Sequence, residues 1–403
     1  MHSKWHVSSL LKNKPLIVLA HSARTIAQAG AQAGYKVIAI DAFSDLETQA
    51  ACLTTCRVPL NEWRFDLSVL SQVLDQLYKR YPQAEVVFGA GIEYAITHFD
   101  DYPQWSLCGF SASSIRLLRD PRQFFLKLDE LAIPYPEVCF QSKDLPMLKD
   151  ATWLLKSARG SGGCQIRFAT NKDMLAQSLV VPSSSPNAGQ YLQRYIEGDA
   201  ISVLVLAQSD QLNILCFNQQ QHQAGSVDFP FIYLGLEANI PLLKEQTDQV
   251  AGYLRKLFHE FELTGLFSLD MMLTNDGLKV LELNPRIPAS FEHYQQLLPK
   301  FNLLEAHLQA CRGLTVACLP KAIGRVANRI LFAPFISTLA TNMEWPEWAA
   351  DRPIPGTVFQ PGEPICSITA KDDSDSSNEQ SQTLAALLES RAHVILQQLN
   401  HIN

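Results

Sequence analysis

The chain contains no run of about 18 consecutive apolar residues, so no segment reads as a membrane-spanning helix. Near the N-terminus the apolar run Pro15 to Ala20 is too short for the hydrophobic core of a secretory signal. Its nine cysteines include no Cys-x-x-Cys pair, and Cys52 and Cys56 have no His or Cys close by in sequence, which argues against a zinc site. The cysteines read instead as reduced thiols packed in cores, and the expected compartment is the cytoplasm. Positive charge is neither abundant nor clustered: 33 Lys and Arg are scattered among 40 Asp and Glu, for a net charge of −7. No footprint for nucleic acid or an acidic membrane results, and neither is expected as a partner. There is no Gly-x-x-x-x-Gly-Lys-Ser/Thr string, so a Walker phosphate loop is excluded. The turn His21-Ser22-Ala23-Arg24 after the first strand-like run lacks the glycine triplet that a dinucleotide pyrophosphate needs, and Asp41 reads as the end of a strand rather than a ribose ligand.

Apolar material, by contrast, is ample: 403 residues, 47% of them hydrophobic, enough for two to three domains of about 150 residues each. Residues 15–41 run strand, helix and strand, a βαβ start. A second unit comes next, with a helix over 66–80 and the strand Glu85-Val86-Val87-Phe88. It ends in Gly89-Ala90-Gly91-Ile92-Glu93, at the carboxyl end of a parallel strand, where open α/β sheets bind ligands. An equal reading makes these two loop glycines ahead of a helix, with Glu93 complementing the helix dipole.

Three later segments carry chemistry. Residues 266–286 read as a hairpin of two apolar strands, 266–273 and 278–283, around a three-residue loop Asn275-Asp276-Gly277. Such a loop sets Asp270 opposite Glu282, places Asn284 on the same face, and turns Leu281 and Leu283 to the other. Two carboxylates and an amide carbonyl are hard ligands suited to Mg²⁺ with phosphate oxygens. Arg286, just past the strand, offers a fork for phosphate or carboxylate. Residues 152–168 run as strand, glycine-rich loop and returning strand, with Lys156 near the strand end and Gly160, Gly162 and Gly163 in the loop, a phosphate-cradling arrangement that resembles a lid. Residues 190–206 hold two strand-like runs separated by Glu197-Gly198-Asp199.

Strand and lid, then a short strand ending in Ile-Glu-Gly, then a carboxylate hairpin closing with Glu-x-Asn-Pro-Arg, resemble the ATP-grasp superfamily over about residues 115–300; Leu281-Glu282-Leu283-Asn284-Pro285-Arg286 is the most specific part. The resemblance implies an α/β protein with a Rossmann-like parallel-sheet domain over 1–112, ATP-grasp α+β parts over 113–190 (lid) and 191–312 (metal and nucleotide), and a small β-rich subdomain with a closing helix over 313–403. It implies ATP and Mg²⁺, replaceable by Mn²⁺, as cofactors. Lys156 would bind ATP phosphates, with Arg159, Gly160, Ser161, Gly162 and Gly163 closing over them. Gln193, Arg194, Tyr195 and Ile196 would form the adenine connector, and Glu197 or Asp199 would hold the ribose. Asp270, Glu282 and Asn284 would be the metal ligands, and Arg286 would contact the transferred phosphate or the acyl substrate. Gly91, Glu93 and His222 are candidate substrate residues, although a His in a Gln-rich loop also reads as merely solvated. Two departures stand out: Arg119-Asp120-Pro121-Arg122 replaces the family's early Asp-Lys, leaving Arg122 as a substitute, and Arg194 occupies a connector position that is often acidic.

The implied chemistry is phosphorylation of a carboxylate by ATP, then attack of an amine on the acyl phosphate. The expected enzyme is a carboxylate–amine ligase acting on small-molecule substrates such as glutamate and an amine, similar in texture to ATP-grasp proteins of one-carbon cofactor biosynthesis, tyramine–glutamate ligase among them, and compatible with a homodimer. The alternatives are a bicarbonate-using carboxylase, a non-catalytic nucleotide sensor and, weakest, an NAD-binding oxidoreductase. Elsewhere the sequence predicts a helix pair over 111–131 broken at Asp120-Pro121, a surface loop at 182–189, a core helix over 244–262, short strands after 312, packing roles for Trp345 and Trp348, a polar loop at 371–382 and a helix over 383–399.

Overall fold

In the computed structural model, residues 12–401 are described apart from 13, 62, 94, 142–151, 159, 170–188, 223–229, 317, 341, 342 and 373–382. Arg159, the loop over 182–188 and residues 373–382 therefore lie outside the described residues. The chain divides into two compact units, one made of residues 1–109 with 286–403 and the other of 110–285.

The first unit is built on a parallel sheet in the order Thr54–Arg57, Val37–Asp41, Leu16–Leu19, Glu85–Phe88, Ser106–Cys108. Leu16–Leu19, Val37–Asp41 and Glu85–Phe88 are fully buried, as continuous Val, Ile and Leu runs require when both faces of a sheet are covered. The helix Arg24–Gln32 lies between the first two strands in sequence and ends before Gly34, which takes φ +86°. Strand order reverses between Leu16–Leu19 and Glu85–Phe88, so their carboxyl ends form the switch point of the sheet. The C-terminal part adds the antiparallel strands Arg325–Phe332, Pro364–Asp372 and Ala349–Ala350 over a core that includes Ile368, Leu388 and Ile395, with Trp345 and Trp348 packed against it. The closing helix runs Leu384–Leu396, shorter than the expected 383–399, because Leu399–His401 leaves it to pair with Ser337–Leu339.

The second unit has two sheets. Strands Arg167–Phe168, Trp153–Ser157, Gln190–Arg194 and Val138–Cys139 form the lid sheet. Strands Gly277–Asn284, Gly265–Thr274, Asp199–Gln208, Gln211–His222 and Tyr233–Ala238 succeed one another in antiparallel order in the other. Against this second sheet lies the helix Lys244–Phe261, whose buried stripe includes Val250, Leu254 and Leu257 and which stops at Glu262 in the left-handed conformation, φ +49°. The helix pair is Ala112–Arg119 and Pro121–Glu130. Asp120 divides it, accepting from the backbone N–H groups of Arg122 and Gln123 as the N-cap of the second helix, whose first residue is Pro121.

Candidate active site

The carboxylate hairpin reaches its register by an unexpected route. Its loop is a two-residue turn, Asn275-Asp276, with Thr274 opposite Gly277, not the three-residue loop read from the sequence. A two-residue turn alone would set Asp270 opposite Leu281. A bulge between Asp270 and Met271 on one strand, with Glu282 and Val280 opposite, absorbs Leu281 and restores Asp270 opposite Glu282. The same bulge turns Leu281 into the cleft beside Glu282 rather than to the far face, while Leu283 is buried.

Asn284 Nδ2 donates to Asp270 Oδ2 at 3.1 Å and to Glu282 Oε1 at 3.5 Å, so three oxygen-bearing side chains converge. Ser268 Oγ donates to Asp270 Oδ1 at 3.4 Å. Among the described residues no group of three His, Cys, Asp or Glu is arranged to hold a metal ion, and the third donor here is an amide. With its amide turned over, Asn284 presents a carbonyl, giving a donor set of oxygens that fits Mg²⁺ and not a softer metal.

Glu282 shares a cleft with the lid. That cleft is lined by Lys156, Gly160 to Gly163, Tyr191, Leu281, Glu282 and, from the helix pair, Arg119. Arg119 was missed in the sequence, where Arg122 was read as the substitute cation. Arg122 instead donates to the Phe140 carbonyl and lies over the Phe140 ring. Arg119 donates from Nη2 to the carbonyls of Ala158 and Gly160 at 2.7 and 2.8 Å, and its Nη1 stands 3.8 Å from Glu282. The signal was available: Arg119 is the last residue of its helix, one step before the capped break, and a long side chain at a helix end is free to reach a neighbouring element. The lid loop rests on its neighbour, since a Cβ on Gly163, at φ +75°, would stand 1.8 Å from the Phe231 carbonyl oxygen.

Lys156 is buried and donates to Gln193 Oε1 at 3.1 Å. The rest of the expected connector lies elsewhere: Arg194, Tyr195, Ile196 and Glu197 border a separate recess with Ile133 to Glu137 and the hairpin tip. Asp199 Oδ1 accepts from Gln219. His222 ends its strand opposite Tyr233, away from the cleft lining, and burial lowers its pKa.

In the first unit, Arg286 Nε pairs with Glu93 Oε1 at 2.9 Å, and Glu93 Oε2 accepts from the Gly91 N–H at 2.9 Å. The Ile287 N–H bonds the Phe88 carbonyl, which moors Arg286 to the switch point. His21 belongs to the same group and was not among the residues singled out. Burial is the main cause that takes its pKa down to about 4, with Glu93 opposing and Arg286 reinforcing, so the ring is neutral at pH 7. Gly91, at φ +95°, leaves space for it: a Cβ there would stand 2.0 Å from the imidazole. The turn after the first parallel strand was the sequence signal for His21.

Residues 119–290 match the ATP-grasp domain family, so this part of the chain is an ATP-grasp domain. An uncharacterized protein of Methanocaldococcus jannaschii is 22% identical over 285 residues, 67% of this chain and 66% of that protein's length, so the match spans just under two thirds of the relative. Over nearly the whole chain the fold is similar to the biotin carboxylase domain of the Hydrogenobacter thermophilus 2-oxoglutarate carboxylase, solved as a dimer with MgADP, ADP and bicarbonate (TM-score 0.72, 15% identity, 95% of this chain and 90% of that one). It is also similar to the L-amino acid ligase of Bacillus licheniformis (TM-score 0.66, 14% identity, 97% and 100%) and to N5-carboxyaminoimidazole ribonucleotide synthetase of Thermotoga maritima (TM-score 0.64, 14% identity, 96% and 99%). Among the described residues no helix is long and apolar enough to cross a membrane.

Proposed function

We propose that this protein is an ATP-dependent, ADP-forming carboxylate–amine ligase, with an amino acid such as glutamate as the carboxylate. The observation that carries the reading is the convergence of Asp270, Glu282 and Asn284 on a hairpin whose Glu282 shares a cleft with Lys156 and the glycine-rich lid. Asp270, Glu282 and Asn284 would hold Mg²⁺, which when bound neutralises phosphate charge as the phosphoryl group moves. Lys156 and Arg119 contribute two cations to the same cleft, and the backbone of Gly160 to Gly163 can approach phosphate oxygens where bulkier residues could not. The substrate carboxylate oxygen attacks the γ-phosphorus and ADP leaves; the amine nitrogen then attacks the acyl carbon, phosphate leaves, and the nitrogen gives up a proton. No covalent enzyme intermediate is needed, so positioning and electrostatics carry the catalysis. Arg286, held by Glu93, is the anion-binding group for the acyl substrate in this reading, and neutral His21 beside it is able to accept a hydrogen bond from an N–H.

The test is ADP release from Mg-ATP across a panel of amino acids, amines and bicarbonate, with Glu282→Gln as the blank. Release that requires one carboxylate and one amine establishes the ligase and names its substrates. Release driven by bicarbonate without an added carboxylic acid makes it a carboxylase instead. ATP binding with no stimulated release across the panel would overturn the ligase reading in favour of a nucleotide sensor.

A further inference from the structure

One side chain touches three parts of the cleft at once. Arg119, the last residue of the helix Ala112–Arg119, lines the cleft together with Lys156, the glycine-rich loop and Glu282. Its Nη2 donates to the carbonyls of Ala158 and Gly160 at 2.7 and 2.8 Å, so both hydrogens of that nitrogen are spent on the lid. Its Nη1 stands 3.8 Å from Glu282 Oε2, close enough for an ion pair and too far for a hydrogen bond. Nε is buried with no hydrogen-bond partner among the described residues. The far side of the loop is held separately, by the Tyr233 N–H on the Gly162 carbonyl at 2.9 Å. A guanidinium is planar and stiff, so a shift at Nη1 is a shift at Nη2 as well. The tie to Glu282 is the loosest that Arg119 makes, and it ends on the partly exposed carboxylate of the metal hairpin.

Resting on the metal reading of Asp270, Glu282 and Asn284, we propose that Arg119 is a positioning residue that couples the glycine-rich lid to the charge held at Glu282: a divalent cation there loosens the lid, and the phosphates of a bound nucleotide draw it back. A guanidinium and a divalent cation compete for one carboxylate and repel each other, so Arg119 gives up its side of the pair when Glu282 takes a metal. The two lid carbonyls ride on the same plane and lose their fixed donors with it. Phosphate oxygens reverse the sign, because Nη1 then has charged acceptors to bond while Nη2 keeps the lid. The coupling is reciprocal: a cation that loosens the lid binds more tightly once the tether is cut. A lysine would keep the charge and lose the coupling, since its donors all sit on one nitrogen and cannot hold two carbonyls and face Glu282 from a separate arm.

The experiment follows amide hydrogen exchange in the peptide carrying Gly160 to Ile166, in the full-length protein, with chelator, with saturating MgCl2 at matched ionic strength and with Mg-ATP, beside calorimetric titration of Mg²⁺ and of Mg-ATP. In the wild type Mg²⁺ alone is expected to speed exchange of the lid peptide and Mg-ATP to slow it below the metal-free rate. Arg119→Met should leave the lid unresponsive to Mg²⁺, bind Mg²⁺ about two- to fivefold more tightly because a competing cation is gone, and bind Mg-ATP about tenfold or more weakly. Those opposite signs separate a tether from a side chain that merely supports the fold, whose loss would weaken both. Arg119→Lys should keep the wild-type Mg²⁺ affinity and lose the lid response. A wild-type lid that Mg²⁺ leaves unmoved or slows, an Arg119→Met or Arg119→Lys lid that still responds, or weaker Mg²⁺ binding by Arg119→Met overturns the proposal. The wild-type response needs no variant, so an Arg119→Met protein that fails to fold does not protect the idea. A lid that responds to Mg²⁺ in a protein that binds no ATP keeps the coupling and removes the nucleotide reading of the cleft.

Discussion

Two clusters of acidic side chains, one in each unit, are built from the same residue types and end in opposite states. In the first unit Arg24 is buried and bonds both Glu292, at 2.7 Å, and Asp351, at 2.8 Å. Arg352 bonds Glu47 at 2.7 Å, and Asp351 also accepts from Ser22 and Ser367. Burial alone would raise the Asp351 pKa, but Arg24 and the two serines hold it below the ordinary carboxylate range. In the second unit Asp270 and Glu282 converge on Asn284, and the Arg119 guanidinium comes no closer to Glu282 than 3.8 Å. Carboxylates clamped by arginines inside the chain hold the chain together; carboxylates gathered around an amide leave their charge for a cation from outside, which is the role proposed for them above. The difference lies in the partners, which composition does not reveal.

The largest test of this contrast is Glu282→Gln. If the second cluster exists to hold a cation, removing one charge should lower Mg-dependent ATP turnover by at least about a hundredfold while leaving the denaturation midpoint almost unmoved, since the Glu282 ion pair with Arg119 is long and its side chain is 41% exposed. Turnover at the wild-type rate would sink the metal assignment. Arg24→Met should do the opposite: by stranding the half-buried Asp351 and Glu292 it should cost ~2–4 kcal/mol in urea unfolding. A loss under ~1 kcal/mol would mean that the cluster is hydrated and not structural.

A pH experiment sharpens the same contrast within the first unit. Asp45 lies beside the arginine-paired acids. Burial first, and Asp351 next, push its pKa up to about 6. A carboxyl whose folded pKa is raised contributes no penalty below its unfolded value near 3.8 and a growing one as pH rises through about 6. Asp45→Asn keeps an acceptor for Thr48, whose N–H and hydroxyl both bond Asp45, and removes the charge. The variant should therefore match wild type below about pH 4, gain on it as pH rises from about 4 to 6, and hold a gain of ~1–2 kcal/mol at pH 8. Equal stability at both pH values would refute the burial argument.

How much of this could be read in advance differs by region. The parallel strands announced themselves because Leu16–Leu19 and Val37–Asp41 are unbroken apolar runs but for the final Asp, a local signal. The pairing of Asp270 with Glu282 was also reached from the sequence, yet through a loop length that the structure does not adopt: a shorter turn and a bulge at Leu281 arrive at the same register. Bulges depend on neighbouring strands and leave no local mark. Arg119 and His21 were passed over for a related reason. Each sits at the end of an element, and which of several nearby cations or rings enters a cleft is decided by the direction of a helix or strand in three dimensions. The arginine clusters were invisible because their partners are 268 and 327 residues apart in the chain.

The smallest expected effect marks the lower bound of the comparison. Lys244 and Asp248 form an ion pair at 2.6 Å, shorter than either bond that Arg24 makes, but both side chains are largely exposed. Distance alone would rank it above the buried cluster. Water screens it, holding two long side chains in one geometry costs entropy, and Lys244 is the first residue of its helix, where a positive charge opposes the dipole. Lys244→Ala should therefore change stability by no more than ~0.5 kcal/mol, in either direction, and the small difference should fade in high salt. If it instead cost as much as Arg24→Met, short contact rather than burial would govern these pairs, and the distinction between the two acidic clusters would lose its physical basis.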